Sequence, residues 1–310
     1  MNVIEYLKEK FLKEDLFSEI IGQDEVKFQI KSALLTGRNV ILVGPPGCGK
    51  TTFAKCIASA LPEENFVRVQ GSPDLTAEDL LGDIDPIKAL EFGPTSKEAF
   101  SPGKIFKADK GVLFFDEVNR CPQKIQNSLL QVLEEKIATV GSYDVDFPAD
   151  FVFVGTMNPE DSNTEKLSHV FLDRFDVIYV GYPDKVEQEI EIVKKAGNKL
   201  LEFNDELLFN VVMFIRNLRN SDKLSKHPSV RATIGLYERA QSNAFLQGRK
   251  SVSSLDVSQA ITSVLAHRIE LKPSIKYLKN PEEFIQEEFK KYAQQKGLDI
   301  ESSDSDDSLG

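Results

Sequence analysis

The sequence predicts an α/β fold: a parallel sheet wrapped by helices in the first half, followed by a helical domain. Short, largely apolar runs alternate there with helical patterns. They are "NVILVG" (39–44), "FVRVQG" (66–71), "GVLFFDE" (111–117), "FVFVGTMN" (151–158) and "DVIYVGY" (176–182). Runs without polar alternation suit strands covered on both faces, as in a parallel sheet whose crossovers are helices such as "QKIQNSLLQVLEEK". After "GYPDK" (181–185) the strand signals stop, and five helical segments follow, from "KVEQEIEIVKKAG" to "NPEEFIQEEFKKYAQQKG". A domain boundary is therefore expected near Pro183, dividing an α/β domain (1–183) from a helical one (184–296).

Taken in order, the N-terminal "MNVIEYLKEKFLKEDLFSEIIG" has helical spacing and lacks a signal peptide's apolar core. "NVILVG" is the first strand, and "TTFAKCIASAL" (51–61) the helix after it. Two stretches read as insertions. Residues 82–106 are rich in Gly and Pro, and residues 136–148 alternate around Gly141-Ser142 as a hairpin would. The last helix begins with Asn280 as N-cap and Pro281 at its first position. The end, 297–310, is acidic and Ser-rich and is expected to be disordered, serving as a solubilising end or a partner-docking tail.

The balance of 49 acidic against 38 basic residues, net −11, argues against broad, sequence-blind nucleic-acid binding. No apolar run approaches the roughly 20 residues that span a bilayer, so no membrane insertion is expected. Cys48, Cys56 and Cys121 are odd in number and lack metal-ligand spacing, which suits reduced thiols in a cytoplasmic protein. His169, His227 and His267 are scattered and read as solvated or capping residues.

The chemistry begins at "GPPGCGKT" (44–51), which fits G-x-x-x-x-G-K-[ST] between a buried strand and a helix. Gly44, Pro45, Pro46, Gly47, Cys48, Gly49, Lys50, Thr51 and Thr52 form the expected phosphate cradle. Its backbone N–H groups curl around phosphate oxygens at a helix N-terminus. Lys50 would reach the β- and γ-phosphates and Thr51 would hold Mg²⁺. Cys48 reads as a small filler of this loop, and Cys56 and Cys121 as packing residues. Asp116 and Glu117 end an apolar strand, where two adjacent carboxylates are costly unless a cation or reacting group meets them. Asp116 is placed to accept the Mg²⁺ water shell and Glu117 to polarise an attacking water. Asn158 ends another such strand, where its amide would orient water with Glu117; an Asn before Pro otherwise starts a turn. Spacing alone leaves Arg174 and Arg231 open between function and ordinary surface ion pairing.

These residues, with the blocks around them, resemble the MoxR branch of the AAA+ ATPases. The resemblance runs from about residue 20 to 272. It includes "IIGQDEVKFQIKSALLTGRNVILVGPPGCGKT", "RVQGSPDLTAEDLLG", "FSPGKIFKADKGVLFFDEVNRCPQKIQNSLLQVLEEK", "FLDRFDVIYVGYP" and "SVRATIGLYERAQSNAFLQGRKSVSSLDV". The magnesium-chelatase ATPase subunit and the replicative helicase motor are similar at its outer limits. The resemblance implies an α/β domain and a helical lid with ATP between them, assembled as a ring, usually a hexamer. It equates Lys50 and Thr51 with the Walker A residues, Asp116 and Glu117 with the Walker B pair, and Asn158 with sensor 1. Arg174 matches the arginine finger that enters a neighbouring subunit's site, and Arg231 the sensor-2 arginine of the lid. Ile21 and Gly22, within "IIGQ", match the adenine-contacting segment. Residues 82–106 and 136–148 match inserts that face the channel or client.

The family pattern "EGTYPLPEA" before the finger reads here as "EDSNTEKLSHV" (160–170), so the approach to Arg174 differs. The resemblance further implies a client or partner with a von Willebrand factor A domain, expected as a separate chain, matured through metal or cofactor insertion. Two alternatives accompany that reading. One is a nucleic-acid motor or loader, kept open by Lys97, Lys104, Lys107 and Lys110 at the insert. The other is a nucleotide-dependent scaffold with slow turnover.

Overall fold

The computed structural model describes residues 3–62, 66–93, 96–139, 146–161 and 167–300. By its internal contacts the chain divides between Gly181 and Tyr182 into two units.

The first unit is built on five strands: β1 (Val40–Val43), β2 (Phe66–Gln70), β3 (Val112–Asp116), β4 (Val152–Met157) and β5 (Asp176–Tyr179), ordered β2-β3-β4-β1-β5. Every neighbouring pair is parallel. β1 and β3 are buried at every position and β4 at all but its last, which is why their sequences carry no polar alternation. The edge strands β2 and β5 carry the exposed side chains, among them Arg68, Gln70 and Tyr179. From β1 the chain passes through the helix Lys50–Ala60 to the far edge and returns through β3 and β4, while β5 lies on the other side of β1. The order of connection reverses at β1, the place where open α/β sheets bind ligands beyond the carboxyl ends of their strands. The register aligns those ends: Val43 pairs with Met157 and Tyr179, and Gln70 with Asp116. Beneath them Phe115 stacks on Phe153 at 5.9 Å, and Phe153 meets Phe175 at 5.1 Å.

Both insertions contain short antiparallel pairs. In the first, Gly82–Ile84 pairs with Phe100–Pro102. Between them the helix Pro86–Phe92 is capped by Asp85, whose carboxylate accepts from the Ile87 and Lys88 N–H groups at 3.0 and 3.3 Å. That helix leaves Ile87 and Leu90 exposed. In the second, Ile137–Thr139 pairs with Asp146–Pro148; the Gly141-Ser142 tip lies outside the described residues, as do 162–166 and the tail from 301.

The second unit packs the helices Val186–Ala196, Asp205–Arg219, Val230–Leu246, Ser254–Leu265 and Pro281–Lys296 around its own core, which includes Leu208, Ile215, Leu236, Ile261 and Ile285. Asn280 caps the last helix in a reciprocal box with Glu283. The structure adds what the sequence did not suggest: a ribbon pairing Leu224–Lys226 with Glu270–Leu271 antiparallel. Strands of two and three residues are too short to show a period.

Two buried acids organise this unit. Asp256 pairs with Arg249; burial opposes its ionisation, but Arg249 and the Ser253 donors hold its pKa below the ordinary carboxylate value. Glu189, 0% exposed, accepts from Arg219 at 2.9 and 3.0 Å, from Arg216 at 3.2 Å and from the Thr233 hydroxyl at 2.9 Å. Arg216 also donates to the Pro183 and Asp184 carbonyls at 2.8 and 2.7 Å, so one carboxylate ties the segment entering the unit to three of its helices. Removing one partner from such a buried cluster leaves charge unpaired. Glu189→Ala is expected to lower the unfolding free energy by about 3–5 kcal/mol, read from the shift of a urea midpoint.

Candidate functional site

The glycine-rich loop leaves β1 at Gly44. A Cβ there would lie 2.1 Å from the Val180 carbonyl oxygen, so only glycine lets the loop start against the chain leaving β5. Gly49, at φ 102°, occupies a backbone region that side chains rarely adopt, and it leads into the helix Lys50–Ala60 without a side-chain cap. The first turn also has no acidic residue. An uncapped N-terminus with its positive dipole end is suited to an anion. Lys50 folds over the loop, its Nζ donating to the Gly44 and Pro45 carbonyls at 2.7 and 2.8 Å. Thr51 follows it, half-buried, and Thr52 is exposed. Cys48 is buried; burial pushes its thiol up while Lys50 works the other way. Cys56 and Cys121 are buried too, and burial pushes Cys121 up to about 11.

Asp116 ends β3, separated from β1 by β4. Its Oδ1 accepts from the Thr156 hydroxyl of β4 at 2.6 Å, and its Oδ2 from Arg68 of β2 at 2.9 Å. Glu117 turns into the left-handed region at φ 55°, where its N–H donates to the same Thr156 oxygen at 2.9 Å. Its Oε2 accepts from Gln70 at 3.1 Å and faces Arg120 Nη1 at 3.1 Å. Asn158, just past β4, receives Asn119 Nδ2 on its carbonyl at 3.0 Å, and its Oδ1 accepts the Glu160 N–H at 3.2 Å. The Asn158 amide nitrogen has no partner among the described residues. The structure thus gathers the loop and both carboxylates on one sheet edge, with Asn158 at the end of the intervening strand. The uncapped glycine-rich loop suits phosphate, and the Thr51 hydroxyl and the Asp116 carboxylate are oxygen donors of the kind a divalent cation takes.

Four polar side chains of this edge escaped the sequence reading: Arg68, Gln70, Arg120 and Thr156. Thr156 left a signal, a hydroxyl within an otherwise apolar buried strand. Gly22 and Gln23, both left-handed, lie beside the loop, where Gln23 Nε2 donates to the Cys48 and Gly181 carbonyls at 3.2 and 3.1 Å. Ile21 is half-buried there.

Arg174 is not gathered with them. Its Nη2 meets Glu134 of the helix Gln123–Glu135 at 2.6 Å, and its Nη1 donates to the Val170 carbonyl at 2.7 Å. Arg231 belongs to the second unit, exposed in the first turn of Val230–Leu246 and without an ion pair among the described residues. His169 and His267 are exposed and His227 half-buried. No cluster of three or more His, Cys, Asp or Glu side chains among the described residues is arranged to hold a metal ion by itself. No helix among them is long and apolar enough to cross a membrane.

The family described as AAA domain (dynein-related subfamily) matches residues 39–175, and the AAA lid domain matches residues 217–288. The chain is 30% identical to the chaperone MoxR1 of Mycobacterium tuberculosis over 288 aligned residues, spanning 81% of this chain and 73% of that protein. The chain belongs to the MoxR-like AAA+ ATPases. The resemblance carried by the motif blocks is thereby borne out, and the chain is a chaperone-like ATPase that binds nucleotide and hydrolyses ATP. It is also 27% identical to the magnesium-chelatase subunit ChlI of Glycine max, across 83% of this chain and 75% of that one. Among solved structures, a RuvB variant from Thermotoga maritima is 21% identical and covers 94% of this chain and 87% of its own, with a TM-score of 0.55; this is a likeness of fold alone.

The Arg174–Glu134 pair sits near the surface, where such pairs contribute little. Glu134→Ala is expected to change the unfolding free energy of the MoxR-like chain by less than about 1 kcal/mol, measured by urea titration. A larger loss would mean that Arg174 is a structural anchor of the helix Gln123–Glu135.

Proposed function

We propose that the chain is the motor subunit of an oligomeric ring that uses ATP hydrolysis to remodel a separate protein. The observation that supports this is the alignment of the Lys50 loop with Asp116 and Glu117 at the carboxyl ends of β1 and β3, joined through Thr156 of the strand between them. Lys50 binds the terminal phosphates, exchanging its two carbonyl partners for phosphate oxygens. Thr51 and Asp116 hold Mg²⁺, which supplies neutralisation of the charge on the phosphate oxygens. Glu117 accepts the proton of the attacking water, and the free Asn158 amide orients that water. Ile21 and Gly22 lie against the adenine base.

Arg174 acts in a neighbouring subunit's site, stabilising charge on the transferring phosphoryl group. Such fingers contribute about 10³–10⁵ in rate. Hydrolysis therefore depends on assembly, a hexameric ring in the family pattern. The partner is a protein with a von Willebrand factor A domain; the exposed Ile87 and Leu90 of the insert support a face that meets protein.

Three variants test the assignment through ATP turnover against chain concentration and binding of a fluorescent ATP analogue. Lys50→Ala is expected to lose binding. Glu117→Gln is expected to bind Mg-ATP and not turn it over. Arg174→Ala is expected to bind normally while its specific activity stays flat as concentration rises. Brisk turnover by Glu117→Gln, or an undiminished rise in Arg174→Ala, contradicts the corresponding role.

A further inference from the structure

The turn that follows β3 does more than present Glu117. Val118–Arg120 forms one turn of 3₁₀ helix, closed by the Arg120 N–H on the Glu117 carbonyl at 2.9 Å. Two side chains of this turn grip the loop beyond β4. Asn119 holds the Asn158 carbonyl, and Arg120 donates through Nε and Nη2 to Asp161 Oδ2 at 2.7 and 2.5 Å. The remaining nitrogen, Nη1, faces Glu117 Oε2 at 3.1 Å. One planar guanidinium thus engages two carboxylates along two of its edges, a geometry that lysine cannot reproduce. The Asp161 side chain is only 12% exposed, whereas that of Arg120 is 40% exposed. The acid is therefore the more buried member of the pair. On Glu117 both polar contacts, from Arg120 and from Gln70, fall on Oε2, and Oε1 has no partner among the described residues.

We propose that Arg120, steered by Asp161, is a positioning residue for hydrolysis: it pins one oxygen of Glu117 and leaves the other as the acceptor for the attacking water. The inference rests on the reading of Glu117 given above and deepens it. Charge alternates along the chain Asp161, Arg120, Glu117, so the cation compensates one of two acids that would otherwise repel. Because Arg120 and Asn119 bind the loop that carries Asn158, the two groups proposed to handle water are set relative to each other. A carboxylate left to rotate would spend less of its time in line with water, and misplacement of that kind lowers turnover without touching the phosphate cradle.

The test compares Asp161→Asn, Arg120→Gln, Arg120→Lys and the double variant Arg120→Gln/Asp161→Asn in the full chain, with Glu117→Gln as reference. Turnover at saturating Mg-ATP and fixed chain concentration is measured beside the Kd for a fluorescent ATP analogue. Asp161→Asn and Arg120→Gln are each expected to lower kcat by about ten- to a hundredfold while Kd stays within about twofold. The double variant is expected to be no slower than Arg120→Gln, because the two residues act in series. Full kcat in Asp161→Asn, multiplied losses in the double variant, or an equal loss in Kd would overturn the proposal. If Asp161→Asn does not fold, Arg120→Lys carries the test: it keeps the charge without the fork, and full kcat there overturns the clamp. Turnover by Glu117→Gln would defeat the underlying reading. A silent Glu117→Gln beside a fully active Asp161→Asn would defeat the clamp alone.

Discussion

The hydroxyl of Thr156 is the contact on which the placement of Asp116 and Glu117 depends. It is 1% exposed, lies on β4 between β1 and β3, and makes two bonds at once. It donates to Asp116 Oδ1 and accepts the N–H of Glu117. A buried carboxylate without such a donor would face the full cost of desolvation, and a buried N–H without an acceptor would cost about 1–3 kcal/mol. With Arg68 on its other oxygen, Asp116 is compensated on both sides at the mouth of an apolar strand.

The same contact explains the backbone that follows. A non-glycine residue in the left-handed region costs about 1–2 kcal/mol and persists only where its surroundings over-determine it. Glu117 meets that condition: Thr156 holds its N–H, Gln70 and Arg120 hold its carboxylate, and the Gly71 N–H is bonded to the preceding Asp116 carbonyl at 2.7 Å. The turn can therefore project Glu117 off the strand axis instead of continuing it. On the opposite side of β1, Gln23 braces the phosphate loop through the Cys48 carbonyl and reaches Gly181, the last residue of the first unit. Loop, acids and exit strand are each fixed by a polar side chain from another element.

This division explains what the sequence made legible. The strands could be read because they lie between helices and lose their polar alternation, and Asp116 and Glu117 were conspicuous because they interrupt such a run. The loop could be read because its glycines serve backbone geometry that few other residues permit. Arg68, Arg120, Asp161 and Glu134 could not be read in this way. Their partners lie 40 to 48 residues away, and nothing in a local window distinguishes them from surface charges. Arg174 shows the complementary limit. The resemblance implied a role in another subunit, but only the structure shows it lodged on Glu134 of its own. The lid ribbon was missed for a simpler reason, since three residues against two carry no period.

The measurement that tests this account most directly is single-turnover ATP hydrolysis by Thr156→Val beside Thr156→Ser, with nucleotide binding followed in parallel. Serine keeps the hydroxyl and is expected to keep turnover. Valine keeps the shape and removes both bonds. It is expected to lower the hydrolysis rate by about a hundredfold or more while ATP binding in the absence of Mg²⁺, assigned by proposal to the Lys50 loop, is retained. Full hydrolysis by Thr156→Val would contradict the claim that this hydroxyl sets the two acids for their work.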